Sequence, residues 1–155
     1  MKLAVFSDSH GNPEKMLQAI ADSSPDIIIH LGDGGSDLSE IKKQFPHIPL
    51  VAVRGNCDLS SAYPVETSVN ARGLRLFITH GHTYGVKDSL SSLVEKAHSM
   101  HVDAVLYGHT HIADNHEENG LYVINPGSCG CPPNQSYAEI IFTDRGELFS
   151  RILRL

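Results

Sequence analysis

Asp8, His10, Asp33, Asn56, His80, His109 and His111 supply carboxylate, amide and imidazole donors, the groups that hold divalent metal ions. They fall in five clusters: Asp8-Ser9-His10, Gly32-Asp33, Gly55-Asn56, His80-Gly81-His82 and Gly108-His109-Thr110-His111. Each cluster follows a short apolar run. Taken singly, each has an ordinary explanation as a helix cap, a turn residue or a hydrogen-bonded histidine. Five such placements at the ends of five apolar runs are poorly explained by chance. The D-x-H and H-x-H pairs add weight, because x-spaced residues on an extended segment point to one side. Carboxylate, imidazole and amide donors without thiolate suit Mn²⁺, Fe²⁺ or Zn²⁺, and suit Ca²⁺ poorly. Seven donors are too many for one catalytic ion and suitable for two. Asp33, a carboxylate in the middle of the set, is the candidate bridge.

The elements that must position these residues can be read from periodicity. Residues 3–7, 26–31 and 50–53 are short apolar runs ending in polar clusters, the pattern of buried strands. Between them, helices are predicted from Asn12–Pro13 onward and over Ser36 to Phe45. The β-α-β-α-β order implies a parallel sheet with right-handed crossovers. The pattern then changes. Residues 66–69 and 74–79 read as a hairpin, a helix is expected over 88–100, and 103–107 is another buried strand. The rest reads as antiparallel: 112–117 with 121–125, then 137–142 with 148–153. The expected architecture is α/β (α+β), with two mixed β-sheets face to face and helices outside. In open α/β sheets ligands bind beyond the carboxyl ends of the strands, so clusters a hundred residues apart can share one rim.

Composition sets the limits. The 155 residues fit one domain, 1–155, with 41% hydrophobic and 19% charged residues, an ordinary globular balance. A net charge of −6 gives no support for a general nucleic-acid or membrane surface. It leaves room for a small phosphorylated substrate, since bound metal creates local positive charge. No run approaches a membrane span, and the start lacks a signal-peptide pattern. Three cysteines, Cys57, Cys129 and Cys131, show no disulfide spacing, which suggests a reducing compartment. A cytoplasmic protein is expected. The Cys129-Gly130-Cys131 pair reads as an incidental loop feature, since two thiols make half a zinc site. His47, His98 and His116 read as surface histidines.

Asp8-x-His10, Gly32-Asp33, Gly55-Asn56, His80 and Gly108-His109-x-His111, in that order, resemble the calcineurin-like metallophosphoesterase superfamily. Arg54-Gly55-Asn56-Cys57-Asp58, Thr79-His80-Gly81-His82-Thr83-Tyr84-Gly85 and Asn125-Pro126-Gly127-Ser128 resemble its small bacterial and archaeal phosphodiesterase branch. The likeness covers about residues 1–150. It implies a four-layer αββα sandwich. By position, it implies that Asp8, His10 and His111 hold one ion, that Asn56, His80 and His109 hold the other, and that Asp33 bridges them. Mn²⁺ is common in that branch, with Fe, Ni or Zn as alternatives. A homodimer is suggested by related small proteins, and the sequence leaves assembly open.

Two ions about 3.5–4 Å apart can hold a hydroxide and clamp phosphoryl oxygens for in-line attack. Two dications less Asp8, Asp33 and one hydroxide leave a single positive charge, enough to attract a phosphodiester. The catalytic set is then Asp33, Asn56 and His80, with Cys57 and His82 as candidates to face the substrate. Much of the superfamily has His where this chain has Cys57. That departure leaves the general acid unnamed and favours diesters or activated esters over simple alkyl monoesters. Asp58 is read as fixing its loop, and Asn125 to Ser128 as shaping the rim. Two other readings remain: a phosphomonoesterase, and a non-catalytic scaffold like a retromer subunit that shares the fold but has a degraded ligand set.

Overall fold

The computed structural model describes residues 1–155. Two five-stranded mixed sheets stack face to face. The first has the order β10-β9-β1-β2-β3 and the second β4-β5-β6-β8-β7. In chain order the elements are β1 (Lys2–Phe6), α1 (Glu14–Ser23), β2 (Ile27–His30), α2 (Asp37–Gln44), β3 (Leu50–Ala52), β4 (Glu66–Ala71) and β5 (Leu74–Thr79). They continue with a 3₁₀ turn (His82–Tyr84), α3 (Ser91–Ser99), β6 (Ala104–Leu106), β7 (Ala113–Glu118), β8 (Leu121–Pro126), β9 (Ser136–Phe142) and β10 (Leu148–Arg154).

Strand alternation explains the layers. On β1, Leu3 and Val5 face the other sheet and join Ile29, Leu31, Leu76, Ile78, Leu106 and Ile124 in the inter-sheet core. Ala4 and Phe6 face the opposite way, against Met16 and Ile20 of α1 and Leu38 and Ile41 of α2. Phe77 and Val105 of the second sheet pack under Leu93 and Ala97 of α3. The order is therefore helices, sheet, sheet, helix, as expected. β1, β2 and β3 run parallel in the first sheet, and β5, β6 and β8 in the second. No helix is long and apolar enough to cross a membrane.

Three local expectations need correction. The helix expected over 88–100 is shorter at its start, because residues up to Leu90 are used in turns after Gly85. The helix expected from Asn12–Pro13 onward begins at Glu14, and Asn12 Nδ2 donates away from it, to the Gly130 carbonyl at 2.9 Å. The third concerns the paired donors. Asp8 (φ 57°), His10 (φ 47°), His109 (φ 69°) and His111 (φ 61°) are all in the left-handed region. The D-x-H and H-x-H segments are thus coiled turns, not extended backbone. Their side chains converge because two left-handed residues fold the chain back around the intervening one.

Candidate metal centre

All seven predicted donors meet at one end of the sandwich, over the seam between the sheets. The loops after β1, β2 and β3 bring Asp8, His10, Asp33 and Asn56 from the first sheet. Those after β5 and β6 bring His80, His109 and His111 from the second. Backbone bonds lace the loops together. Asp8 N donates to Gly32 O (3.0 Å), His10 N to Asp33 O (3.1 Å) and Gly108 N to His80 O (3.1 Å). Bonds that cross between the sheets here include His80 Nδ1 to Leu31 O (2.8 Å) and His109 N to Asp8 Oδ2 (3.1 Å).

The side chains form two lobes. In one, His111 Nε2 lies 3.1 Å from Asp8 Oδ1 and 3.3 Å from His10 Nε2. In the other, His80 Nε2 lies 3.2 Å from Asn56 Oδ1 and 3.5 Å from Asp33 Oδ2, and the His109 ring centre is 5.0 Å from that of His80. Asp33 lies between them, with Oδ2 also 3.9 Å from His10 Nε2. Donors bonded to one ion at about 2.0–2.2 Å stand about 3.0–3.5 Å apart along the edges of the coordination shell. Most of these separations fall in or near that range.

The polar accounting also calls for cations. Asp8 is fully buried, and its Oδ1 has no hydrogen-bond partner while pointing at His10 and His111. Its Oδ2 is occupied by Ser7 Oγ and His109 N. His80 spends its Nδ1 proton on Leu31 O, which turns Nε2 towards two acceptors, Asn56 Oδ1 and Asp33 Oδ2. Asp8, Asp33, Asp37 and Asp58 are all buried here, yet the Lys and Arg ion pairs lie elsewhere, on Glu139 and Asp144. Buried carboxylates without cations are costly. The residues therefore fit a pair of divalent ions.

Burial alone would raise the Asp33 carboxyl. Hydrogen bonds from His80 and from Cys57 N (2.8 Å) outweigh it and hold the group well below the usual carboxylate range. Burial opposes a charge on His80, but the facing Asp33 and Asp8 push its pKa up. His109 and His82 are pushed down by burial and then by His80, which favours neutral imidazoles. His82 stands beside the second lobe, its ring centre 5.3 Å from that of His80, with a buried Nδ1 that finds no partner. Cys57 is exposed at the rim, within 4.8 Å of donors on His10 and Asp33. Its hydrogen bond with the Asp33 carboxylate, followed by burial, raises its thiol.

Around the donors stands a frame that the sequence reveals only in part. Asp58 accepts three backbone N–H groups: Asp33 (2.7 Å) and Gly55 (2.9 Å) on Oδ2, and Gly35 (2.8 Å) on Oδ1. Asn125 donates to Gly108 O and Thr110 Oγ1 and accepts from Gly127 N, bracing the loop that carries His109 and His111. Both agree with the motif-based expectation. Asp37 and His30 were not anticipated. Asp37 Oδ2 accepts from Ser9 Oγ and Gly11 N, closing the turn that holds His10. His30 is fully buried under the Asp33 turn, where its Nδ1 accepts from Gly32 N at 3.3 Å. The available signal for His30 was a histidine in an otherwise apolar strand; Asp37 reads locally as an ordinary acidic residue of a first helical turn.

Residues 1–145 match the model of the calcineurin-like phosphoesterase superfamily domain, and the chain belongs to that family. It is 35% identical over 145 residues to "Probable metallophosphoesterase YsnB" of Bacillus subtilis, covering 89% of this chain and 82% of that protein. A phosphodiesterase of Methanocaldococcus jannaschii is 32% identical over 148 residues, covering 83% of this chain and 84% of the relative. Among solved structures, Vps29 of Entamoeba histolytica complexed with zinc superposes with a TM-score of 0.79 at 19% identity, over 99% of each chain, a likeness of fold.

Proposed function

We propose that this chain hydrolyses small phosphodiesters with two divalent metal ions. Asp8, His10 and His111 would hold the first ion, Asn56, His80 and His109 the second, and Asp33 would bridge them. The observation that carries the reading is the position of Asp33, whose Oδ2 lies 3.5 Å from the imidazole of one lobe and 3.9 Å from that of the other. Once bound, such ions supply Lewis acidity at the phosphoryl oxygens and activate water for in-line attack.

The protein's own groups prepare the site for this. The backbone N–H of Cys57 fixes the Asp33 carboxylate. The Leu31 carbonyl fixes the His80 tautomer, so that Nε2 faces inward. A polar groove of about 230 Å³, lined by His10, Asp33, Gly34, Ser36 and Cys57, leads away from the centre. A second, of about 380 Å³, shares Gly35, Ser36 and Cys57 with it and continues along Leu59 to Ser61. The two grooves suit the two substituents of a small diester. Diester preference is also supported by the phosphodiesterase among the relatives and by Cys57 standing where a proton-donating imidazole would otherwise be. Manganese is the proposed activating ion, a separate matter from which ion each lobe binds most tightly.

Metal-stripped protein reconstituted with Mn²⁺ should cleave an aryl phosphodiester faster than the matching monoester. Asp33→Asn, folded by circular dichroism, should lose that activity. Full activity in the variant would refute the assignment of the bridge. The fold shared with Vps29 favours a second reading, a binding scaffold. A folded, metal-loaded protein that is inert across a diester and monoester panel would support it.

A further inference from the structure

The three cysteines have different surroundings. Cys129 is fully buried on the helix side of the first sheet, its Sγ 3.9 Å from Met16 Sδ. Cys57 is exposed, and its Sγ accepts from Asn56 Nδ2 at 3.4 Å. Cys131 is half-buried, and its Sγ and a ring nitrogen from each of His10 and His111 all lie within 4.8 Å of one another. The pair expected to be incidental is thus split between the core and the metal centre.

Cys131 is held in this position. Its N–H donates to Ser128 Oγ at 2.9 Å, and that hydroxyl donates to the Asp8 carbonyl at 2.8 Å. Gly130 N donates to the same carbonyl, and Asn12 Nδ2 to Gly130 O. Gly130 also allows a close approach, since a Cβ there would collide with the Ser9 carbonyl. The loop bearing the thiol is therefore strapped to the loop bearing Asp8 and His10. An independent observation points to a cation at the same spot. Asp8 Oδ1, fully buried and unpartnered, lies 3.1 Å from His111 Nε2 and 3.7 Å from His10 Nε2.

We propose that Cys131 is a further donor to the first lobe, giving it two carboxylate oxygens, from Asp8 and the bridging Asp33, two nitrogens and a sulfur, and tilting it towards thiophilic divalent ions, zinc above manganese. The inference rests on the first lobe holding an ion, as proposed above. Thiolate is the softest donor available to a protein, and it selects zinc over hard, oxygen-preferring ions such as manganese. On binding, the Sγ–H proton passes to the buffer and the freed sulfur lone pair bonds to the ion.

Cobalt reports this directly, because thiolate ligation produces an intense near-ultraviolet charge-transfer band that imidazole and carboxylate do not. Metal-stripped wild-type protein and Cys57→Ser, loaded with Co²⁺, should show the band. Cys131→Ser should bind two ions per chain without it, and its preference for Zn²⁺ over Mn²⁺ should fall about tenfold. In wild-type protein, Zn²⁺ should slow alkylation of Cys131 by iodoacetamide, read by peptide mapping, more than Mn²⁺ does. This measurement needs no variant. Two bound cobalt ions without the band in wild type, or a band that persists in Cys131→Ser, would overturn the role of Cys131 and leave the two-ion centre standing. A folded wild-type protein that binds no ion would overturn both.

Discussion

The chemistry of this site is distributed unevenly over its residues. Asp33 and His80 face each other with opposite tendencies, the carboxylate held charged and the imidazole ready to carry charge. Position 57 is where specificity should respond. Replacing the thiol by imidazole puts a proton donor of ordinary pKa about 6.5 beside Asp33. Cys57→His should therefore raise turnover of an alkyl monoester by roughly tenfold or more and change an aryl diester, with its easily expelled leaving group, much less. Equal rates for both substrates in both proteins would make position 57 irrelevant to leaving-group protonation. At this scale the sequence was highly legible. Every one of the seven donors named from strand-end clusters stands at the centre, because donor type and apolar punctuation are local signals. The placement of Cys131 beside the centre is illegible for the complementary reason. Its partners His10 and His111 are distant in sequence, and only packing brings the three together.

The turns between elements make the constellation possible. Asp58 ties the Asp33 turn after β2 to the Gly55–Asn56 turn after β3 through three charge-assisted backbone bonds. In Asp58→Asn one oxygen becomes an NH₂ group facing a backbone donor. The cost should be about 2 kcal/mol in urea unfolding, together with weaker binding of both proposed ions by calorimetry, since the two turns carry the proposed bridge, Asp33, and the proposed ligand Asn56. Unchanged ion affinity would reduce Asp58 to a loop brace. Gly55 is needed for the same approach, as a Cβ there would land on Asp33 Oδ1. Strand and helix order followed from periodicity. The left-handed backbone at the donor pairs did not, because positive φ has a dependable sequence signal at glycine and a weak one at Asp or His.

Over the whole molecule, the proposed centre would also be a rivet between the sheets, since each lobe combines donors from both. Ion at a hundredfold excess over its Kd stabilises the folded state by about 2.7 kcal/mol, so chelation should lower Tm by roughly 5–10 °C. Asp33→Asn should show a smaller shift. Acid acts through His30 as well. Burial pushes its pKa down to about 4, against pulls from Asp8, Asp58 and Asp37, from an ordinary 6.5. The fold holds the ring neutral while the unfolded chain takes up a proton, so stability should fall as pH drops from about 6.5 to about 4 and then level off. The loss attributable to this ring is about 3 kcal/mol. His30→Asn keeps an acceptor for Gly32 N without titrating. In chelator, its unfolding free energy should be flatter over that window than the wild type's, and parallel profiles would discount His30. Five of the proposed ligand positions, Asp8, His10, Asp33, His109 and His111, occupy backbone that glycine adopts freely and other residues adopt at a cost of about 1 kcal/mol. Selection for a sturdier fold alone, in the absence of metal, would therefore reward glycine at these positions and erode catalysis first. A lineage freed from hydrolysis has a short downhill path to an inert, firmer body, and its surfaces remain available for holding other proteins.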